Sequence, residues 1–346
     1  MQKHIEEYFN KDAIHYSLLS KLSWGYDYFV EYNKQLENKD NIDIGIKVGM
    51  LMGGITDLMI TTPKEFDNTY HVTVLVRPTE STLKLADTYL SRIKAGHIDF
   101  DLVIAMREIP EQYIKDILNI IEELGLWSNT KDEEKIIKKF HTQEFWKYIL
   151  NQLIAQKKVL ITLEEYNQSV NLTDLIKNHT FTKQYFDRSR YEIIYQFPIY
   201  WKDEDGFENK CLLDMVIFDH KDKIIYPIDI KTMSDSVLKF MSNYKRFRYD
   251  IQGSYYFDGL GQYIQNTIHK DYKVKEFRFI VGSFQSNYPL VYIMSNADYR
   301  LGKYGNTEKK GYLKLIEEYK WYIKNGFQYP YGIPESNGHI TIESEV

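Results

Sequence analysis

The stretch CLLDMVIFDHKDKIIYPIDIKTM, residues 211–233, decides how this chain is read. Two apolar runs flank the charged turn DHKDK, the pattern of a β-hairpin. Asp214 falls in the first strand, and Asp229 lies near the end of the second, followed by Ile230 and Lys231. Residues i and i+2 of a strand share a face, so Asp229 and Lys231 project together, and an antiparallel partner brings Asp214 beside them. Charges at the end of an apolar sheet are costly unless paired or metal-bound. Two arrangements satisfy them: an Asp–Lys ion pair closing a sheet edge, or a divalent cation held by the carboxylates.

The tripeptide [DE]-x-K is not informative alone, since others begin at Glu37, Glu133, Glu208, Asp219, Asp271, Glu308 and Glu318. Most of those sit in polar or helical contexts that read as solvated charged faces. The copy at Asp229 ends an apolar β run and follows a strand with a second aspartate. Downstream, RYDIQGSYYFDGLGQY places Gln252 and Tyr256 at i and i+4, on one face of the next helix. Lys239, Lys245, Arg246 and Arg248 precede them as the most basic cluster near the hairpin. A metal site beside a basic, aromatic-lined helix suits phosphodiester chemistry, in which cations hold phosphates and rings hold bases or sugars. Taken without the hairpin, Gln252 and Tyr256 read as an ordinary half-buried helix face.

With 346 residues the chain can bury a large core, as one elaborated domain or two intimate ones. Its 30 tyrosines and 18 phenylalanines serve mainly as core. A net charge of −5 gives no support to wholesale coating of nucleic acid, so any DNA contact must rest on a local basic surface. The single cysteine, Cys211, excludes an intramolecular disulfide and a cysteine-based zinc site, and fits a reducing cytosol. The start, MQKHIEEYFNKDAIHY, lacks the apolar core of a signal peptide, and the apolar run Val48–Ile60 is short for a membrane span. A soluble, cytoplasmic protein without membrane contact is expected. There is no G-x-x-x-x-G-K-[ST] loop and no H-E-x-x-H zinc motif.

Residues 1–65 read as largely helical, ending at Thr61-Thr62-Pro63, and His71–Val76 as a short strand. Helical patterns then dominate from Ser81 to about Asn178, including Glu111–Leu124 and Glu144–Gln156. Strands are expected at Tyr191–Trp201, in the hairpin, and at Phe277–Gly282 and Leu290–Met294. A long helical stretch is expected over Ser236–His269, and a final helix over Lys309–Asn325. The organisation expected is a single elaborated α/β (α+β) domain over 1–346. Its parts are a mainly helical region at 1–185, a core with the sheet and the Gln252 helix at 186–300, and a C-terminal helix and tail at 301–346.

Asp214…Asp229-Ile230-Lys231 followed by Gln252-x-x-x-Tyr256 resembles the PD-(D/E)XK nucleases, in the RecB-like branch with its added Q-x-x-x-Y motif. HYSLLSKLSWGYDYF (15–29) is similar to the S-x-S-x-L…F opening of phage and RecE-type exonucleases, and GGITDLMITTPKEFD (53–67) to their active-site helix. KVLITLEEY (158–166) and the Asn178-His179 region are similar to the helix leading into the core. Asp57 stands where many relatives carry a metal-binding histidine, and Leu213 replaces the proline of the family name.

The resemblance implies a restriction-endonuclease-like core: a mixed central sheet flanked by helices, with a helical N-terminal region that contributes one active-site helix (about 48–60). It also implies one or two Mg²⁺ (or Mn²⁺) ions on Asp214 and Asp229, with the Ile230 carbonyl as a further ligand and Asp57 as a fourth candidate. Lys231 would orient the attacking water, neutralise charge on the phosphorane, or act as a base. Gln252 and Tyr256 would position the strand or the carboxylates, and Lys239, Lys245, Arg246 and Arg248 are candidate phosphate contacts. The activity implied is a Mg²⁺-dependent DNA exonuclease of phage or prophage recombination or end processing, with an annealing partner and a homo-oligomer among its expected associations. An endonuclease or flap nuclease of the same fold, and a non-catalytic DNA-binding module, are the alternatives.

Overall fold

The hairpin forms as two long antiparallel strands, Glu208–Asp219 and Ile224–Met233, in a computed structural model that describes residues 2–37, 48–74, 78–156 and 158–333. In chain order, helices α1 (Gln2–Asn10), α2 (Tyr16–Trp24), α3 (Tyr26–Glu37) and α4 (Val48–Thr61) come first. Next are α5 (Phe66–Thr69), β1 (Tyr70–Thr73), α6 (Glu80–Lys94), α7 (Leu102–Ala105), α8 (Glu111–Glu123), α9 (Glu133–Phe140), α10 (Gln143–Ala155) and β2 (Val159–Thr162). Helix α11 (Leu163–Asn178) leads to β3 (Glu192–Lys202), β4 (Glu208–Asp219) and β5 (Ile224–Met233). The chain continues through α12 (Phe240–Arg246), α13 (Tyr249–Gln265), β6 (Lys273–Val274), β7 (Arg278–Ser283), β8 (Leu290–Ile293), α14 (Asn296–Tyr304) and α15 (Tyr312–Asn325). It is a mixed α/β protein with a helical N-terminal region, and no described helix is long and apolar enough to cross a membrane.

Two compact units are present, residues 1–61 with 171–346 and residues 62–170, so the helical part expected over 1–185 is divided between them. The first unit holds a six-stranded sheet in the order β3-β4-β5-β7-β8, with β6 also paired to β5. The pairs β3–β4, β4–β5 and β7–β8 are antiparallel, and β5–β7 is parallel. β4 and β5 read as nearly continuous apolar runs because both of their faces are covered. Ile193, Ile217, Ile228 and Ile280 pack with Ile60 of α4 and Leu172 and Ile176 of α11. Val216, Phe218, Ile225 and Phe279 pack on the other face with Leu18 and Leu22 of α2 and Ile251 and Leu260 of α13.

Pro227 inside a central strand needs an explanation, because proline cannot donate to a ladder. The carbonyls of Lys223 and Ile225 accept from Lys273 and Lys275, so odd-numbered backbone groups of β5 face β6 and β7. β6 pairs with residues 224–225 and β7 starts at 228, which puts the missing N–H of Pro227 where one partner strand hands over to the next.

The second unit is built on α6, α8 and α10, whose Leu85, Tyr89, Ile117, Ile121, Phe145 and Ile149 share a core. Its strand β1 pairs in parallel with β2. Val159–Thr162 was expected as helix from the resemblance at 158–166; it is a strand, and α11 starts only at Leu163. The apolar run VLIT is too short to set its own period and takes the conformation its partner β1 imposes. Leu75 and Val76, expected to extend β1, lie outside the described residues. The helical stretch expected over 236–269 is broken: Arg248 adopts φ 56° and ψ 48°, a left-handed turn that separates α12 from α13. The tail beyond residue 333 also lies outside the described residues.

Candidate active site

The expected juxtaposition in the hairpin is present. Asp229 is almost fully buried, and its Oδ2 lies 2.5 Å from Lys231 Nζ on the same strand face. The β4–β5 ladder runs from Asp219–Ile224 to Met215–Ile228, and one step further on Asp214 comes opposite Asp229. There a side chain takes over from backbone: the Ile230 N–H donates to Asp214 Oδ2 at 2.8 Å. The N–H and C=O of one strand residue point to the same side, so the Ile230 carbonyl also faces the edge that Asp214 occupies.

The inward alternation of β4 slips at this point. Cys211 and Leu213 belong to the same core cluster as Val216 and Phe218, so the buried face shifts by one residue around Asp214. Its neighbour Gln196 on β3 has φ 48° and drops out of the pairing between Tyr195–Met215 and Phe197–Leu213. Irregularities of this kind re-aim a side chain, here a carboxylate, out of the ladder.

Helix α13 supplies the next contacts. Gln252 Nε2 donates to Asp229 Oδ1 at 2.6 Å, while Gln252 Oε1 is buried with no hydrogen-bond partner. Tyr256, one turn on, is buried between Tyr16 and Phe277, each meeting it edge-on. Two tyrosines not singled out in the sequence also border the site. Lys231 Nζ lies 4.8 Å above the ring of Tyr249, and the Tyr16 hydroxyl donates to the Phe247 carbonyl at 2.7 Å. Tyr249 precedes Gln252 by three residues on one helix, a spacing that could have found it; Tyr16 carries no such signal.

Helix α4 approaches the same strand through glycine. A Cβ at Gly53 would stand 2.7 Å from Thr232 Oγ1, so only glycine allows this separation without movement. Asp57 follows one turn later, and its Oδ1 is buried with no hydrogen-bond partner. Burial first, then the charge of Asp229, pushes the Asp57 carboxyl up to about 6, with Lys231 acting in the opposite sense.

The electrostatics bind these groups into one unit. Burial, Asp229 and Asp57 hold the Asp214 carboxyl far above the usual carboxylate range. Asp229 is also raised by burial, though Lys231 and Gln252 pull it back. Burial alone would lower Lys231, but Asp229, Tyr249 and Asp214 outweigh it and hold the ammonium above its ordinary range. Three buried carboxyls, with Asp229 raising both Asp57 and Asp214, are the hard donors a divalent cation neutralises. Among the described residues no group of three or more His, Cys, Asp or Glu side chains is arranged to hold a metal ion. The set therefore does not form a closed cage, but it fits Mg²⁺, which keeps several waters and takes one or two carboxylates.

The four basic residues separate. Lys245 and Arg246 are exposed at the end of α12, and Lys239 is exposed but paired with Asp235 at 2.6 Å. Arg248, expected as a phosphate contact, is instead engaged inside the protein. Its Nε and Nη2 donate to the two carboxylate oxygens of Asp250 at 3.0 Å each, and Nη2 also donates to the Lys310 carbonyl. That buried pairing lies at the left-handed turn ahead of α13 and takes up the Nε–Nη2 edge that a phosphate would otherwise use.

No protein-family model matches the chain, and no curated protein matches it. It is similar to the crystal structure of a candidate exonuclease from Eubacterium rectale, with 14% identity and a TM-score of 0.33 over 65% of this chain and 82% of that one. A likeness so slight carries no argument about fold or activity, which rest on the residues themselves.

Proposed function

We propose that this chain is a metal-dependent nuclease that hydrolyses phosphodiester bonds in DNA, acting as an exonuclease. The observation that carries the reading is the joining of Asp214, Asp229, Lys231 and Gln252 at the point where β4 and β5 part. An ion pair closing a sheet edge accounts for Asp229 and Lys231. It does not account for Asp214 and Asp57, two further carboxylates that raise the cost of ionising the group.

Asp214 and Asp229, with the Ile230 carbonyl, would hold Mg²⁺ or Mn²⁺, and Asp57 is a further oxygen donor beside them. When bound, such an ion polarises a phosphate and lowers the pKa of a water. Gln252 fixes the Asp229 carboxylate through one oxygen and leaves the other to Lys231. The Lys231 ammonium, kept charged by its carboxylate neighbours and backed by the Tyr249 ring, is placed to neutralise charge developing on the phosphoryl oxygens. Lys245 and Arg246 are the exposed cations available to a DNA backbone, with Lys239 beside them.

The test is digestion of 5′- and 3′-labelled linear duplexes, single strands and covalently closed circles, with and without Mg²⁺. Linear DNA alone should be degraded. Cleavage of the circle would replace the exonuclease reading with an endonuclease, and no metal-dependent cleavage of any substrate would leave a non-catalytic module.

A further inference from the structure

Arg278 and Arg248 are equally buried, each 7% exposed, yet only Arg248 hydrogen-bonds the carboxylate it is paired with. Arg248 presents its Nε–Nη2 edge to both oxygens of Asp250. On Arg278 the same edge meets no carboxylate at hydrogen-bond distance. Its Nη1 donates to the Glu276 carbonyl at 2.6 Å, its Nε is buried with no hydrogen-bond partner, and the Glu276 carboxylate stands 3.7 Å from Nη2, too far for a hydrogen bond. Asp219, near the same tyrosines, is already taken up by Arg190 and by the Asp222 N–H. A buried guanidinium with an unmatched edge is costly, and an oxyanion with two oxygens in one plane removes that cost.

The space for such an ion exists. Arg278 borders a cavity of about 210 Å³ lined by Gln184, Tyr185, Tyr191, Ile217 and Tyr226, and its guanidinium lies 4.8 Å over the Tyr226 ring. Arg278 pairs with Ile228 in the sheet, and the cavity opens on the face that carries Ile217, Ile228 and Ile280. Lys231 and Tyr249 are grouped instead with Phe279, on the other face.

We propose that this cavity is a second, separate site that binds a phosphate group, as the free ion or as a phosphomonoester. Two phosphate oxygens take the Nε–Nη2 edge of Arg278. The others meet the tyrosine hydroxyls and the Gln184 amide, which both donate and accept. The tyrosine walls would hold an attached ring by stacking.

The full chain, free of divalent cations, is titrated with inorganic phosphate and separately with adenosine 5′-monophosphate. Binding is followed by calorimetry and by the arginine Nε–H resonances. One saturable site that shifts the Arg278 resonance is expected. Arg278→Lys should weaken it roughly tenfold or more, because an ammonium offers a point charge in place of the fork. Glu276→Gln, on a half-exposed side chain, should retain or tighten it by removing the competing charge. Tighter binding of the nucleotide assigns the site to phosphomonoesters, and equal binding assigns it to the free ion. Absence of saturable binding in both the native chain and Glu276→Gln overturns the proposal, as does undiminished binding by Arg278→Lys.

Discussion

Gly53 of α4 lies directly against Thr232 of β5: a Cβ on residue 53 would stand 2.7 Å from the threonine hydroxyl oxygen. This contact sets how near α4 comes to the strand that carries Asp229 and Lys231, and so where Asp57 stands relative to them.

Gly53→Val should therefore destabilise the protein by about 1–3 kcal/mol through overpacking, even though valine is the better helix former. Thr232→Ala in the same chain should recover much of the loss, because it removes the atom that the new side chain meets. Urea unfolding of the two single variants and the double variant measures the coupling. A Gly53→Val chain as stable as the parent would mean that α4 and β5 are not in close contact.

Asp229→Ala and Lys231→Ala should each lower Mg²⁺-dependent DNA degradation by about 10²-fold or more, with the far-ultraviolet circular dichroism unchanged. Asp214→Ala and Asp229→Ala should also lose the rise in melting temperature that Mg²⁺ or Mn²⁺ produces in the native chain. Full activity in either of the first two variants would sink the assignment.

Asp57 makes a prediction about pH. Its carboxyl is pushed up to about 6 in the folded protein, from an ordinary value of 3.8. The folded state thus holds the proton more tightly than the unfolded chain. Stability contributed by this group falls as pH rises from about 4 to about 6, by on the order of 2–3 kcal/mol. Asp57→Asn should flatten that part of the metal-free stability profile and raise stability at neutral pH. Chemical denaturation at several pH values reads this directly, and an unchanged slope in Asp57→Asn would refute it.

The basic residues should behave as two classes. Arg248→Ala leaves Asp250 buried without its partner and should cost about 3–5 kcal/mol of stability. Lys245→Ala and Arg246→Ala should leave stability unchanged, weaken DNA binding across sequences, and each reduce the salt slope by about one. Binding measured against KCl concentration, beside melting curves, separates the classes. A stable Arg248→Ala chain with selectively weakened DNA binding would reverse the distinction.

The sheet and the centre of the candidate site were readable from residue order because strand and helix periods are local. The two-residue period joins Asp229 to Lys231, and the four-residue spacing sets Gln252 and Tyr256 on one face. The turn between apolar runs brings Asp214 to the same place. Arg248 was misread because a basic residue beside others looks exposed until its partner Asp250 and the Lys310 carbonyl are seen. Val159–Thr162 was misread because a four-residue apolar run is decided by what it pairs with.

By itself, the sequence determined the long strands of the larger sheet, which carboxylates share a hairpin with the lysine, and which helix face follows them. The tertiary structure alone decided that Gly53 brings α4 against β5, that Tyr16 borders the site, that Arg248 is buried against Asp250 and that Arg278 meets no carboxylate at hydrogen-bond distance. Periodicity governs neighbours along one element, whereas burial, charge pairing and close approach depend on atoms far apart in the chain, which only the packed fold places together.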